Sequence, residues 1–224
     1  MASQHGKWYG DACGTAFGLE ILGERWAMLI VRELLLGPRR FSDLREALPG
    51  ISAKVLTERL ENLAGWGVLT RHKLAPPASG KVYELTEWGY AAEPAIMELG
   101  RWAALSAKHD PQLPLSAVSL MTSMKTMQLP VLADAPDMRI GMQVGAEEFV
   151  VSISAGQFAA ERGAVEDCQA VLRAPAAPPI AGALYADIPL EALEADAGLK
   201  VEGDRALVVR FLGLFGLPPK LDAA

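Results

Sequence analysis

Leucines at 56, 60 and 63 recur at i, i+4 and i+7, the spacing of one buried helical stripe. Leu44 and Leu48 mark a shorter stripe just before it, and Pro49-Gly50 separates the two. Ser52 stands where the second helix needs a cap, because its hydroxyl can satisfy a free backbone N–H of the first turn. Opposite the leucines lie Ala53, Lys54, Thr57 and Glu58, which are small or polar. The spacing therefore predicts a short helix over 41–48, a tight turn, and a second helix over 52–66. Gly67 suits a left-handed helix end. Residues 68–72 and 81–86 read as two strands, and the loop from Lys73 to Gly80 holds Pro76 and Pro77, which make it turn-rich. A helix-turn-helix backed by a β-hairpin is a winged helix.

The same reading extends along the chain. Residues 13–22 predict a first helix ending at Gly23. Residues 25–36 predict a very apolar second one carrying Trp26, Leu29, Ile30 and Leu34. Thr86 is placed to cap a helix over 87–108, kinked at Pro94. Its apolar positions include Trp88, Ala92, Ile96, Leu99, Trp102 and Leu105. Two readings of that face stay open, a seam between two copies or packing within its own domain. The charged, Pro-interrupted stretch 108–116 reads as a linker. It divides the chain into domains 1–110 and 111–224.

The second half opens with a Met-rich helix over 116–127. Residues 138–145 and 147–156 alternate like strands, and 157–163 and 166–174 read as two more. A short apolar helix follows over 179–186. Gly203-Asp204 then precedes a final helix carrying Leu207, Val208, Phe211, Leu214 and Phe215. The expected fold class is α+β, a winged helix followed by a second domain of strands and helices.

The chain has 224 residues, 51% of them apolar, which is ample for packed cores. Its net charge of −6 argues against a uniformly basic nucleic-acid binder, but the charge is uneven. Residues 1–110 carry 13 basic and 13 acidic side chains, and residues 111–224 carry 8 and 14. Within 25–81 there are 10 basic against 5 acidic. An acidic second half would repel DNA and disfavour loose binding. The first residues lack the apolar centre of a signal peptide. No apolar run reaches the roughly 18 residues of a membrane span. Two cysteines, Cys13 and Cys168, fit a reducing compartment. A cytoplasmic, soluble protein without a membrane role is expected.

Candidate chemistry centres on DNA. Ser52, Ala53, Lys54 and Thr57 are expected to face a major groove. Arg39, Arg40, Arg71, Lys73 and Lys81 are placed for phosphate, which sets affinity and register but not sequence choice. Arg59 flanks the buried stripe and is open to two roles, holding phosphate or holding a core carboxylate. Glu58 and Glu61 repel phosphate, which tilts the end of that helix away from DNA. Glu58 keeps the option of accepting from a cytosine amine. His5, His72 and His109 lack metal-ligand spacing, and no nucleophile elbow, phosphate loop or dinucleotide fingerprint occurs. No enzyme activity, metal or cofactor is expected. In the second half Met121, Met124, Met142, Phe149, Phe158, Phe211 and Phe215 either fill a core or line a site for a variable apolar ligand.

Two resemblances add to this reading. Cys13 to Trp26, the Gly23-x-x-Trp26 turn, Arg40-Phe41, Ile51-Ser52, Leu56-Thr57-x-Arg59-Leu60 and Leu85-Thr86 together resemble HxlR-type winged-helix transcriptional regulators, over roughly residues 8–108. The resemblance implies a dimer on operator DNA, formed through the N- and C-terminal helices of that domain, and more often a repressor. It also implies oxidant or electrophile sensing at Cys13, which matches a sensing cysteine of several family members. The alternative for Cys13 is a small buried residue. Gly14 replaces the family's usual Pro, and "PPASGK" replaces its frequent Pro-x-Arg, so Lys81 takes that arginine's place. The order "FVVSISAGQFAAERGAVEDCQAVLRA" and "VEGDRALVVRFLGLF" is similar to sterol-carrier-protein-like domains, over about 115–218. That similarity implies an α/β sandwich and a lipophilic small-molecule effector. Two other readings stay open, a lipid carrier using the winged helix for assembly and a thiol-based sensor.

Overall fold

A computed structural model describes residues 9–73 and 80–221. The chain forms two compact units, Met1–Glu93 and Pro94–Ala224. No helix of the described residues is long and apolar enough to cross a membrane.

The first unit contains α1 (Gly14–Leu22), α2 (Ala27–Leu34), β1 (Arg39–Arg40), α3 (Phe41–Ala47), α4 (Ala53–Gly65), β2 (Leu69–Lys73), β3 (Lys81–Leu85) and α5 (Glu87–Tyr90). Its core is the pair of expected leucine stripes, Leu44, Leu56, Leu60 and Leu63, closed by Ile30 and Leu34 of α2 and by Leu69 of β2. Each such side chain contributes about 1.5–3 kcal/mol by leaving water. The second helix is shorter than expected. Trp26 precedes it at φ 81°, a left-handed conformation that the 25–36 reading did not anticipate. β1 was also missed. Arg39 and Arg40 pair antiparallel with Tyr83 and Val82, giving a three-stranded sheet in the order β1-β3-β2. A two-residue strand leaves no alternation to read.

The helix expected over 87–108 is two helices, α5 and α6 (Glu93–Ala104). Pro94 lies in the first turn of α6, where its missing N–H costs nothing. It starts a helix there and does not kink one. The boundary between units consequently falls at 93/94 and not at 110/111. The stretch after α6 is tied to the chain's C-terminal end, since Leu221 N–H donates to Leu105 C=O at 2.8 Å and Lys220 Nζ to Ala104 C=O at 2.9 Å.

Beyond α6 the second unit contains α7 (Ala117–Thr126), a 3-10 turn (Pro130–Asp134), β4 (Met138–Val144), β5 (Glu147–Ser154), β6 (Gln157–Arg162), β7 (Ala170–Ala174), α8 (Ala177–Tyr185), α9 (Leu190–Asp196), β8 (Lys200–Gly203) and α10 (Arg205–Leu212). The strands form one mixed sheet, β6-β5-β4-β7-β8, in which only β4 and β7 run parallel. Side chains alternate between its faces. Met138, Ile140 and Met142 share one face with their partners Ile153, Val151 and Phe149 and with Leu172, all buried. Gly141 points the other way. A Cβ there would lie 2.7 Å from Val165 Cβ, so a side chain is excluded. α9 and β8 were not read from the sequence. α10 begins as expected, with Asp204 accepting from Leu207 N–H at 2.9 Å. It ends at Leu212, so Leu214 and Phe215 lie beyond it and not on it. Phe215 is instead held in a bridge to Gln128.

Candidate nucleic-acid interface

The turn between α3 and α4 follows from its residues. Gly50 adopts φ 92°, and Ile51 N–H donates back to Leu48 C=O at 3.2 Å. Ser52 Oγ then accepts from Val55 N–H at 3.2 Å, the expected cap. At the far end Val68 N–H donates to Leu63 C=O at 2.9 Å and Gly67 N–H to Ala64 C=O at 3.0 Å, with Gly67 at φ 77°. That is the paired closure of a helix with a left-handed residue after its cap. Both ends of α4 are therefore fixed by local chemistry, and its roll is fixed by the buried leucines.

This roll exposes Ser52, Ala53, Lys54 and Thr57. The Lys54 side chain is 85% exposed, with only a loose 3.9 Å approach to Glu58 one turn later. Glu58 and Glu61 are exposed as well. The hairpin stands beside α4, and Thr86 ties its root. The Thr86 hydroxyl donates to Gly67 C=O at 2.7 Å and accepts from Gly89 N–H at 3.1 Å. Gly89 is needed there, because a Cβ would fall 2.1 Å from the Val68 carbonyl oxygen.

The basic residues separate into three groups. Arg40, Arg71, Lys73 and Lys81 are exposed on the sheet, with Lys73 and Lys81 directly opposite each other. The Arg40 guanidinium stands beside Gly80. Arg59 is engaged within its own unit, but by an exposed carboxylate and not the expected core one. It pairs with Glu24 and donates from Nε to Arg25 C=O at 3.2 Å. Arg39 corrects the expectation of a phosphate ligand. It is only 7% exposed, on β1 opposite Tyr83. The expected loop residues Pro76 and Pro77 lie outside the described residues.

A groove of about 240 Å³ opens between α4 and the hairpin. Thr57, Leu60 and Ala64 line one side, and Arg71 and Tyr83 the other. Tyr83 was not singled out from the sequence, and Phe41, which also lines the groove, only as part of the Arg40-Phe41 motif. The available signal was the register of "KVYELT", which sets Tyr83 opposite Arg71 once the hairpin turn is located.

Cys13 is exposed, not a small buried residue. It precedes α1, and the N–H and hydroxyl of Thr15 with the N–H of Ala16 hold its thiol below the ordinary range. Cys168, in the second unit, is pushed up chiefly by burial. Of the expected ligand residues, Met121, Met124, Met142, Phe149, Phe211 and Phe215 are buried and Phe158 is half-buried. Phe158 and Phe211 each meet Phe215 edge-on, at centroid distances of 5.8 and 5.0 Å. The same unit holds a polar pair, the Tyr185 and Ser123 hydroxyls, 2.9 Å apart.

Residues 21–111 match the family model for HxlR-like helix-turn-helix proteins. The chain is 41% identical over 85 residues to the uncharacterized HTH-type transcriptional regulator YvaP of Bacillus subtilis, covering 38% of this chain and 79% of that protein. It is 39% identical over 89 residues to the HTH-type transcriptional regulator YodB of the same organism, covering 40% of this chain and 78% of YodB. The crystal structure of quinone-bound YodB superposes with a TM-score of 0.35 and 35% identity, over 40% of this chain and 93% of that one.

Proposed function

This chain belongs to the HxlR-like helix-turn-helix family, and we propose that it is a repressor that binds an inverted-repeat operator as a homodimer. The observation that carries the proposal is the exposed Ser52–Thr57 surface, set on a helix whose other face is locked into a leucine core. Such a surface is slim enough for a major groove and rigid enough to read base edges. The exposed cations of the hairpin supply phosphate attraction beside it. Leu99 and Trp102 on α6, 45% and 69% exposed, support a second copy as the partner.

Selection of duplexes from random-sequence DNA tests this reading. The recovered sites should be inverted repeats with half-sites one helical turn apart, about 10 base pairs, or a multiple of that. Recovery of no enriched sequence overturns it.

The second unit is proposed to be sterol-carrier-like and to take a lipophilic effector. Its mixed sheet and its Met- and Phe-rich interior support this. An effector acts only through different affinity for DNA-competent and DNA-incompetent states. A fatty acid that binds without changing operator affinity would count against control.

A thiol response is a second reading, favoured by the exposure and lowered pKa of Cys13. Cys13→Ser should then abolish loss of operator binding on oxidant treatment. A response retained in Cys13→Ser overturns it.

A further inference from the structure

We propose that the groove between α4 and the β2–β3 hairpin seats one DNA backbone phosphate, and that Tyr83 is the positioning residue that aims the Arg71 guanidinium at it. The inference rests on the DNA-binding reading above and names a contact within it.

The register comes first. Tyr83 is the middle member of a row across the three-stranded sheet, with Arg39 opposite it on β1 and Arg71 opposite it on β2. The two arginines have different fates. Arg39 is buried, whereas Arg71 is exposed. The Arg71 guanidinium lies over the Tyr83 ring, 5.6 Å from its centroid. A cation in that position is attracted by the ring's negative face.

The kind of partner matters. Arg32 and Arg59 in the same unit are committed to Glu33 and Glu24. Among the described residues no carboxylate pairs with the Arg71 guanidinium. A carboxylate would fix its direction but also neutralise it and occupy its donors. An aromatic ring fixes direction and leaves both charge and N–H donors available. A guanidinium in that condition suits a phosphate, which it can meet through two parallel hydrogen bonds.

The surroundings select where the anion sits. Arg71 and Tyr83 face Thr57 across the groove, and Thr57 belongs to the surface proposed to meet base edges. A duplex engaged by that surface brings its backbone past the groove. Glu61 lines the same groove one helical turn beyond Thr57. Its charge repels phosphate from that end, so the seat lies at the Thr57 end.

The test is fluorescence anisotropy of the full chain on its own selected duplex, over a series of salt concentrations. Arg71→Ala should lower affinity about tenfold and reduce the slope of log affinity against log salt by about 0.9, the signature of one lost phosphate. Tyr83→Phe keeps the ring and should stay within about twofold, while Tyr83→Leu should lose about threefold. Tyr83→Leu should have no further effect in the Arg71→Ala background. Glu61→Gln should raise affinity. An unchanged salt slope in Arg71→Ala overturns the proposal, as does an equal loss from Tyr83→Leu with or without Arg71. If Tyr83→Leu lowers the melting temperature, the slope of the exposed Arg71→Ala variant decides alone. Wild-type protein without DNA affinity at low salt would sink the regulator reading itself. Wild-type binding with an unchanged variant slope sinks only the phosphate seat.

Discussion

Arg59, on α4, donates from Nε to the backbone carbonyl of Arg25, 3.2 Å away and 34 residues earlier in the chain. The same guanidinium pairs with Glu24. The contact pins α4 to the turn before α2, so the flank of the helix is committed to the fold while its outer face stays open. Arg59→Ala should therefore destabilise the protein by about 1–2 kcal/mol, as expected for a charged donor lost from a carbonyl. Glu24→Ala should cost under about 1 kcal/mol, because Glu24 is largely exposed and its pairing is screened. Urea denaturation of both variants checks the order. A loss of DNA affinity without any loss of stability in Arg59→Ala would instead make Arg59 a phosphate ligand.

The cap and the core of α4 should separate by magnitude. Ser52→Ala removes the bond to Val55 N–H and should cost about 1 kcal/mol. Leu60→Ala, at a position 1% exposed, should cost about 2–5 kcal/mol through lost burial and the cavity left behind. Thermal or denaturant melting reads both. Equal effects would mean that α4 is not anchored through its leucine stripe.

Gly89→Ala tests the root of the hairpin. The added methyl would fall 2.1 Å from the Val68 carbonyl oxygen and 3.1 Å from Leu85, and a backbone atom cannot move aside as a flexible side chain can. A destabilisation of about 1–3 kcal/mol is expected, as for other forced contacts. Unaltered stability would show that Thr86 and Val68 do not hold α5 this closely.

The two thiols should titrate on opposite sides of the ordinary thiol range. Donors at the start of α1 lower Cys13, whereas burial raises Cys168. A group with a lowered folded-state pKa contributes stability above its unfolded value and loses it as pH falls through the folded value. For Cys168 the sign reverses, and its raised pKa favours folding increasingly as pH falls through the ordinary thiol range. Iodoacetamide alkylation followed by mass spectrometry should modify Cys13 first and at lower pH. Faster modification of Cys168 would contradict the placement of Cys13 as an exposed thiol at the start of α1.

Much of the first unit was legible because its signals are local. Ser52, Gly67 and Thr86 are end signals whose hydrogen-bonding partners lie within a few residues or one strand away. The leucine period then sets the buried side of α4. What stayed hidden depends on residues distant in sequence. Arg39 reads as a surface cation, yet it is buried on β1, a strand too short to be read from the sequence. Arg71 reads as one more basic residue until the register sets it against Tyr83. In the second unit, alternation revealed β4 and β5. The four-residue β8, recruited to an edge by β7, offered no comparable period. The α6 boundary was misplaced because Pro94 begins a helix as readily as it kinks one.

The most direct test of gene control through α4 is a gel-shift comparison of wild type with Lys54→Ala/Thr57→Ala on the selected duplex, beside melting curves of both proteins. Both side chains are exposed, so the melting temperature should be unchanged. Retention should fall by at least about tenfold, the scale of one good base contact. Undiminished retention by a folded double variant would contradict the account.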